Sequence, residues 1–388
     1  MSLKEKAIKG LAWNTIGSVG TGLCNLAITI ILARLLTPSD FGLLALLVVF
    51  TVLSETLIES GFSQALIQDK KTTSDDLNTV FFTNICIATL LYFVLFLSAP
   101  LIAGFYENES LINLSRFVFL VLIFNALSLI QKTIFSKNIN FKATAASSLA
   151  AVTLSGVVAI GLALTGFGVW ALATHLVLNA FFQMVFLWFQ SQWRPSGSIR
   201  VKSLNKYIPF SAPLLAQGFV DKFVTNLESL LIGKFYTVSD LGFFSQSRNL
   251  NSYFMQTISG VVQRVTYPVL VKNNNDSSKL KESYRQVIGT TMLVMIPLAF
   301  GIMATAENIV LVLFGAKWLQ TAEYLQYFVI MGLFVSLHSY YTNIFLVLGK
   351  TGKFLQLSLI KQFLKVAIVA YLVNESVMAL VMGVAAVG

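Results

Sequence analysis

Charge is scarce in this chain: only 11% of its 388 residues are Asp, Glu, Lys or Arg, while 56% are hydrophobic and mean hydropathy is +0.76. That balance excludes an ordinary soluble domain, whose charged share is about 25%. Cysteine and histidine are scarcer still, at two each. Cys24 and Cys86 both fall inside apolar runs, which excludes a disulfide framework, and no metal-type spacing joins them to His175 or His338, so no metal or haem site is expected. Long loops are missing too. The stretches between apolar runs are about 5 to 20 residues, near the usual connection length. They hold no paired histidines, nucleophile elbow or phosphate-cradling glycine loop, so an enzyme is not expected.

What the chain does have is one apolar run after another. A membrane span needs roughly 20 mostly apolar residues, and twelve candidates can be read: Gly10 to Leu36, Phe41 to Ile67, Leu77 to Phe105, Leu111 to Phe135, Phe141 to Thr165, Val169 to Gln190, Leu204 to Tyr236, Leu241 to Val271, Ser283 to Ala306, Ala322 to Leu348, Phe354 to Val373, and Val377 onward. The first is too long for a secretory signal and lacks its cleavage site. The last holds only about a dozen apolar residues, short of the length a crossing needs, and is expected to be a truncated span. All five tryptophans, Trp13, Trp170, Trp188, Trp193 and Trp318, fall at or just outside the ends of these runs, as interfacial anchors do.

The basic residues are distributed unevenly. With alternating spans, nineteen of the 27 Lys and Arg, between Lys4 and Lys353 and including Lys132, Lys137, Arg194, Arg200 and Lys206, fall on the side of the N-terminus; Arg34, Arg116, Lys234 and Lys317 fall on the other. The excess of cations places the N-terminus in the cytoplasm. The net charge of +10 then reflects short loops beside an anionic leaflet and calls for no nucleic acid.

The sequence also repeats itself. Leu32 to Gly42 (LARLLTPSDFG) returns as Ile232 to Gly242 (IGKFYTVSDLG), with Thr, Ser, Asp and Gly at the same offsets and Arg34 answered by Lys234. The stretch Ser136 to Lys142 stands between spans four and five where Leu348 to Phe354 stands between ten and eleven. Two six-span halves in the same order imply an all-α membrane protein: residues 1–190 as one lobe, 191–203 as a cytoplasmic linker and 204–388 as a second lobe incomplete at its last helix, related by a pseudo-twofold axis along the membrane normal around a central cavity.

Three stretches carry a resemblance to a known family: Leu32 to Gly42, Glu59 to Gln68 (ESGFSQALIQ), and Glu228 to Gly233 (ESLLIG) with Leu241-Gly242. Together they resemble the polysaccharide flippases of the multidrug/oligosaccharidyl-lipid/polysaccharide exporter superfamily, in the O-antigen and teichuronic-acid exporter branch, across nearly the whole chain. Glu228 departs from the Asp expected at its place. The resemblance implies two helical lobes around a cavity and transport of a lipid-diphosphate-linked oligosaccharide across a bacterial inner membrane. Membrane lipid, and the polymerase and glycosyltransferases of the same pathway, are the implied partners. No cofactor is implied beyond a coupling ion, H+ or Na+.

Such a cargo sets a physical problem, since several negative charges and many hydroxyls must cross hydrocarbon. Ionised groups within spans cost roughly 2.5 to 3.5 kcal/mol each to insert, so those present are expected to face water or a partner. Lys222, Lys365, Lys361 and Arg248 are the candidate cations for a diphosphate, with snorkelling to the headgroups as the alternative for Lys361, an internal ion pair for Lys222 and Lys365, and pairing with Glu228 for Arg248. Asp221 and Glu228, with Thr225 between them, share a helix face by spacing, as do Glu55 and Glu59; these four carboxylates are candidates for charge balance or for holding the coupling ion. Among the uncharged polar residues within spans, which include Asn84, Asn125, Gln246, Asn251, Gln256 and Asn343, Asn226 and Asn249 are the candidates for sugar contact. A multidrug or cation antiporter of the same fold is the alternative function, disfavoured by four cations within the spans.

Overall fold

The computed structural model describes residues 3–387 except 60, 198, 255–276 and 348–350. Gln256 and Leu348 to Lys350 therefore lie outside the described residues, as do the side chains of Lys4, His338, Asn343 and Lys353. Among the described residues all regular structure is helical. The helices are α1 (Leu3–Leu35), α2 (Pro38–Glu59), α3 (Phe62–Gln68), α4 (Ser74–Phe105), α5 (Ser110–Val118), α6 (Leu120–Lys137), α7 (Phe141–Leu164), α8 (Val169–Gln190), α9 (Val201–Phe235), α10 (238–254), α11 (Ser277–Leu313), α12 (Gln320–Val347), α13 (Thr351–Leu372) and α14 (Val377–Val387).

Among the described residues seven helical segments are long and apolar enough to cross a membrane: Ala12–Leu35, Pro38–Gln68, Ser74–Phe105, Ser110–Lys137, Phe141–Leu164, Val169–Gln190 and Tyr284–Leu313. The first six match the six spans expected of the first half. Two are broken. Gly61, in the left-handed region at φ 71°, separates α2 from α3, and the fourth span changes helix at Phe119. The α9 helix has the length, 35 residues, but Pro209, Pro213, Asp221, Lys222 and Glu228 make it too polar to qualify by composition.

The repeated segment proves to be a helix start. In both copies the Thr and Asp form the same pair of reciprocal caps: Thr37 N–H and Oγ1 donate to Asp40 Oδ2 at 2.9 and 2.7 Å, and Asp40 N–H donates back to Thr37 Oγ1 at 3.3 Å. In the second copy Thr237 and Asp240 repeat the three bonds at 3.1, 2.7 and 3.1 Å. This satisfies amide groups that a helix otherwise leaves open, for about 1 kcal/mol per cap. The apolar positions of the repeat serve one purpose as well, since Leu32 and Ile232, Phe41 and Leu241, and both glycines Gly42 and Gly242 are buried. Thr73 and Asp76 use the same device to begin α4.

The described contacts group the chain into two compact units, Met1–Asn226 and Leu227–Gly388. In the first, α1 lies along α7 and α7 along α8, with α6 packed on α4 and α8. Small residues permit that approach: a methyl group added at Gly17 would overlap Ala145, and one at Gly156 would overlap Ile28. Close backbone approach of this kind replaces the hydrophobic drive that lipid does not supply. In the second unit α11 packs on α12, and α14 on both α12 and α13.

The N-terminal turns of α9 are held within the first unit. Tyr207 is buried in an apolar cluster with Phe62, Leu66, Val80, Phe81 and Ile130, and its hydroxyl donates to Asp69 Oδ2 at 2.7 Å. Lys206 Nζ lies 2.6 Å from Asp69 and 3.2 Å from Asp76. Arg200 pairs with Asp75 at 2.7 Å, and Ser196 exchanges hydrogen bonds with the Asn78 amide. Lys137 donates to Leu66 O, Asp69 O and Thr72 Oγ1. Cations that the sequence suggests as loop charges thus fasten neighbouring elements to the α3–α4 region, Arg200 and Lys206 the 191–203 segment and α9, and Lys137 the end of α6.

Lys206, and then Tyr207, hold the Asp69 carboxyl well below the usual carboxylate range. A depressed carboxylate contributes stability that is complete above its unfolded pKa, about 3.9, and is lost as pH falls below it. Because Lys206 is partly exposed the effect is modest: Asp69→Asn is expected to lower stability by about 1 kcal/mol at pH 7. Thermal unfolding in detergent should show that difference, and it should shrink in acid as the wild-type carboxylate protonates.

Candidate functional site

The end of α9 carries a charge into the interior of the second unit. Glu228 is buried, and Lys365 of α13 reaches it with Nζ 2.6 Å from Oε1, their side chains being 5% and 15% exposed. That oxygen has no aligned hydrogen-bond donor among the described residues, so the contact acts through charge and proximity. Lys361, one helical turn before Lys365, is half-buried. Arg248 of α10 is also half-buried, its guanidinium lies over the Phe244 ring at 5.6 Å, and it interacts electrostatically with Glu228. The structure thus gathers Lys365, Glu228 and Arg248 into one set, while Asn249 is exposed.

The preceding turns of α9 present a different surface. Asp221, Lys222 and Thr225 are exposed, whereas Asn226 is buried and donates from Nδ2 to the Lys222 carbonyl at 2.8 Å. This bond ties one N–H of the Asn226 amide to its own helix. Spacing places Asp221, Thr225 and Glu228 on one face, yet Glu228 alone of the three is buried.

A second polar site lies in the first unit, between α2 and α6. Glu55, Ile58, Glu59, Asn125, Leu129 and Lys132 line a cleft of about 140 Å³. Asn125 Nδ2 donates to Glu55 Oε1 at 2.5 Å. Lys132 interacts electrostatically with both carboxylates. Glu59 is exposed at the end of α2, two residues before Gly61. The sequence paired Glu55 with Glu59 by spacing but assigned Lys132 to a loop. Its signal was present, because Lys132 stands seven residues after Asn125, two turns along the same face.

A polytopic, all-helical membrane protein with ion-paired and exposed charges at mid-helix has the build of a transporter. The chain belongs to the polysaccharide biosynthesis protein family, whose profile matches residues 31–323. It is similar to the teichuronic acid biosynthesis protein TuaB of Bacillus subtilis (strain 168), at 24% identity over 338 residues, covering 86% of this chain and 69% of that protein. The lipopolysaccharide biosynthesis protein WzxC of Escherichia coli (strain K12) is 27% identical over 346 residues, covering 86% and 68%. Among solved structures the lipid II flippase MurJ, in an inward closed conformation, shares the fold with a TM-score of 0.74 at 14% identity, over 96% of this chain and 84% of that one.

The Glu228–Lys365 pair generates a test. Removing either partner alone strands a buried charge and is expected to cost about 3–5 kcal/mol. Lys365→Met and Glu228→Gln should therefore each lower thermal stability and membrane abundance, and the double variant should recover most of the loss. Simply additive losses would mean that the two groups are not coupled.

Proposed function

We propose that the protein is a flippase that carries a lipid-diphosphate-linked oligosaccharide or polysaccharide precursor across the bacterial cytoplasmic membrane by alternating access, with its N-terminus in the cytoplasm. Membership of a polysaccharide biosynthesis family and relatives named for teichuronic acid and lipopolysaccharide biosynthesis support the cargo class. The fold shared with a protein named a lipid II flippase supports the mode. On this reading the chain works as a transporter and not as an enzyme, with the polymerase and glycosyltransferases of the pathway as partners.

The observation that carries the reading is Lys222. It is exposed about 31 Å from the start of α9 and about 20 Å from its end, at 1.5 Å per residue. A lysine at that depth facing hydrocarbon would be strongly disfavoured, so it marks a wet surface. Lys222 and Arg248 are each proposed as a diphosphate contact, without a shared site being implied, Arg248 offering two donors to two oxygens. Lys365 is assigned to balance Glu228, and Asn249 is a sugar contact. Cations on the path repel an organic cation, which favours this cargo over a multidrug or cation antiporter of the same fold.

Coupling is assigned to the Glu55–Glu59 cleft. We assign it a proton, which needs a single carboxylate oxygen, rather than sodium, which needs several oxygen ligands.

Two outcomes test the proposal in whole cells. Lys222→Gln and Arg248→Gln in the full-length protein are expected to lower polysaccharide export about tenfold at normal membrane abundance, the loss of one charge-assisted contact. Normal export by both would sink the cationic path. Glu55→Gln is expected to leave residual export insensitive to an imposed pH gradient; a response like that of the wild type would remove the cleft from coupling.

A further inference from the structure

The first unit holds an apolar groove that the transport reading does not use. Leu127 of α6, Met184, Val185, Trp188 and Phe189 of α8, and Arg194 line it, and its volume is about 420 Å³. Phe189 is 82% exposed. The Trp188 indole N–H donates to Leu127 O at 2.9 Å, which fixes the wall shared by the two helices.

Arg194 is built into place. Its guanidinium lies 5.5 Å from the Trp188 ring centre; Nη1 donates to Ser191 O and Trp193 O at 2.6 and 2.9 Å, and Nη2 donates to Trp188 O at 3.1 Å. These bonds cap the end of α8, where carbonyls lack helical partners. They occupy three of the five N–H donors of the fork. No carboxylate pairs with Arg194 among the described residues, so its charge is uncompensated and two donors remain.

We propose that this groove binds an anionic glycerophospholipid, its phosphate on the free donors of Arg194 and part of an acyl chain along Leu127, Met184, Val185 and Phe189. The chemistry is complementary at both ends: a guanidinium matches phosphate oxygens, and the apolar floor begins directly beside it, at a tryptophan-rich helix end of the kind that anchors at the membrane interface. Placement in the inner leaflet rests on the proposed cytoplasmic N-terminus. Occupancy does not depend on the transported cargo, so failure of one reading leaves the other standing.

Native mass spectrometry of the full chain released from detergent tests the site with three probes: phosphatidylglycerol, phosphatidylcholine and glycerol phosphate. Wild-type protein is expected to retain phosphatidylglycerol at least about fivefold better than phosphatidylcholine, and to retain no glycerol phosphate, which lacks the chain. Arg194→Gln should reduce phosphatidylglycerol adducts about fivefold, the effect of one basic side chain near an anionic group. Because Arg194 also caps α8, Phe189→Glu provides an independent variant: it keeps the cap, alters an exposed position and repels the phosphate, so it should give a similar loss. Lys202→Gln, an exposed cation outside the groove, should change nothing. Equal retention of the two lipids by the wild type, retention of glycerol phosphate alone, or unchanged adducts in the Phe189→Glu variant would overturn the proposal.

Discussion

The cost of leaving charge in hydrocarbon governs this structure. Each ionised side chain within a span must find an opposite charge, an aromatic face or water, and the observed arrangement supplies all three. Glu228 and Lys365 neutralise each other in the second unit, Arg248 lies over Phe244 and feels Glu228, and Lys222 is exposed on α9. The α9 helix loses hydropathy through this polarity. Two prolines and several charges leave it outside the set of segments apolar enough to span by composition, although it is 35 residues long.

The cations at the helix ends obey the same logic under gentler conditions. In water a surface ion pair contributes little, but Lys206, Tyr207, Asp69 and Asp76 form a network rather than a pair, and Lys137 and Arg194 place their donors on backbone carbonyls that helix ends and turns leave open. Charge that would be unwelcome within the bilayer thus becomes an organising element at its border. The first turns of α9 belong to the compact unit Met1–Asn226 through these contacts.

The recurrence of Thr and Asp at fixed offsets, about 200 residues apart, also has a local explanation. Both copies begin a helix by reciprocal capping, and Leu32 and Ile232, like Phe41 and Leu241, are buried at matching places. A segment preserved between two halves therefore need not touch a ligand, because ending one membrane helix and starting the next is demanding enough.

Hydropathy and repetition determined the all-helical membrane class, six spans of the first half with nearly correct ends, and the short list of charged groups within spans. Those properties are legible in one dimension because a span is a continuous apolar run and a cap is set by residues three apart. The break at Gly61 was visible only as a glycine, since that residue type permits a left-handed backbone without requiring one. Which charges meet was decided in three dimensions. Glu228 finds Lys365 at a separation of 137 positions, Lys132 turns toward Glu55 and Glu59 instead of lying in a loop, and Asn226 bonds to its own helix. Helical spacing assigns a side chain to a face, but only packing decides whether that face meets a partner, a cleft or lipid.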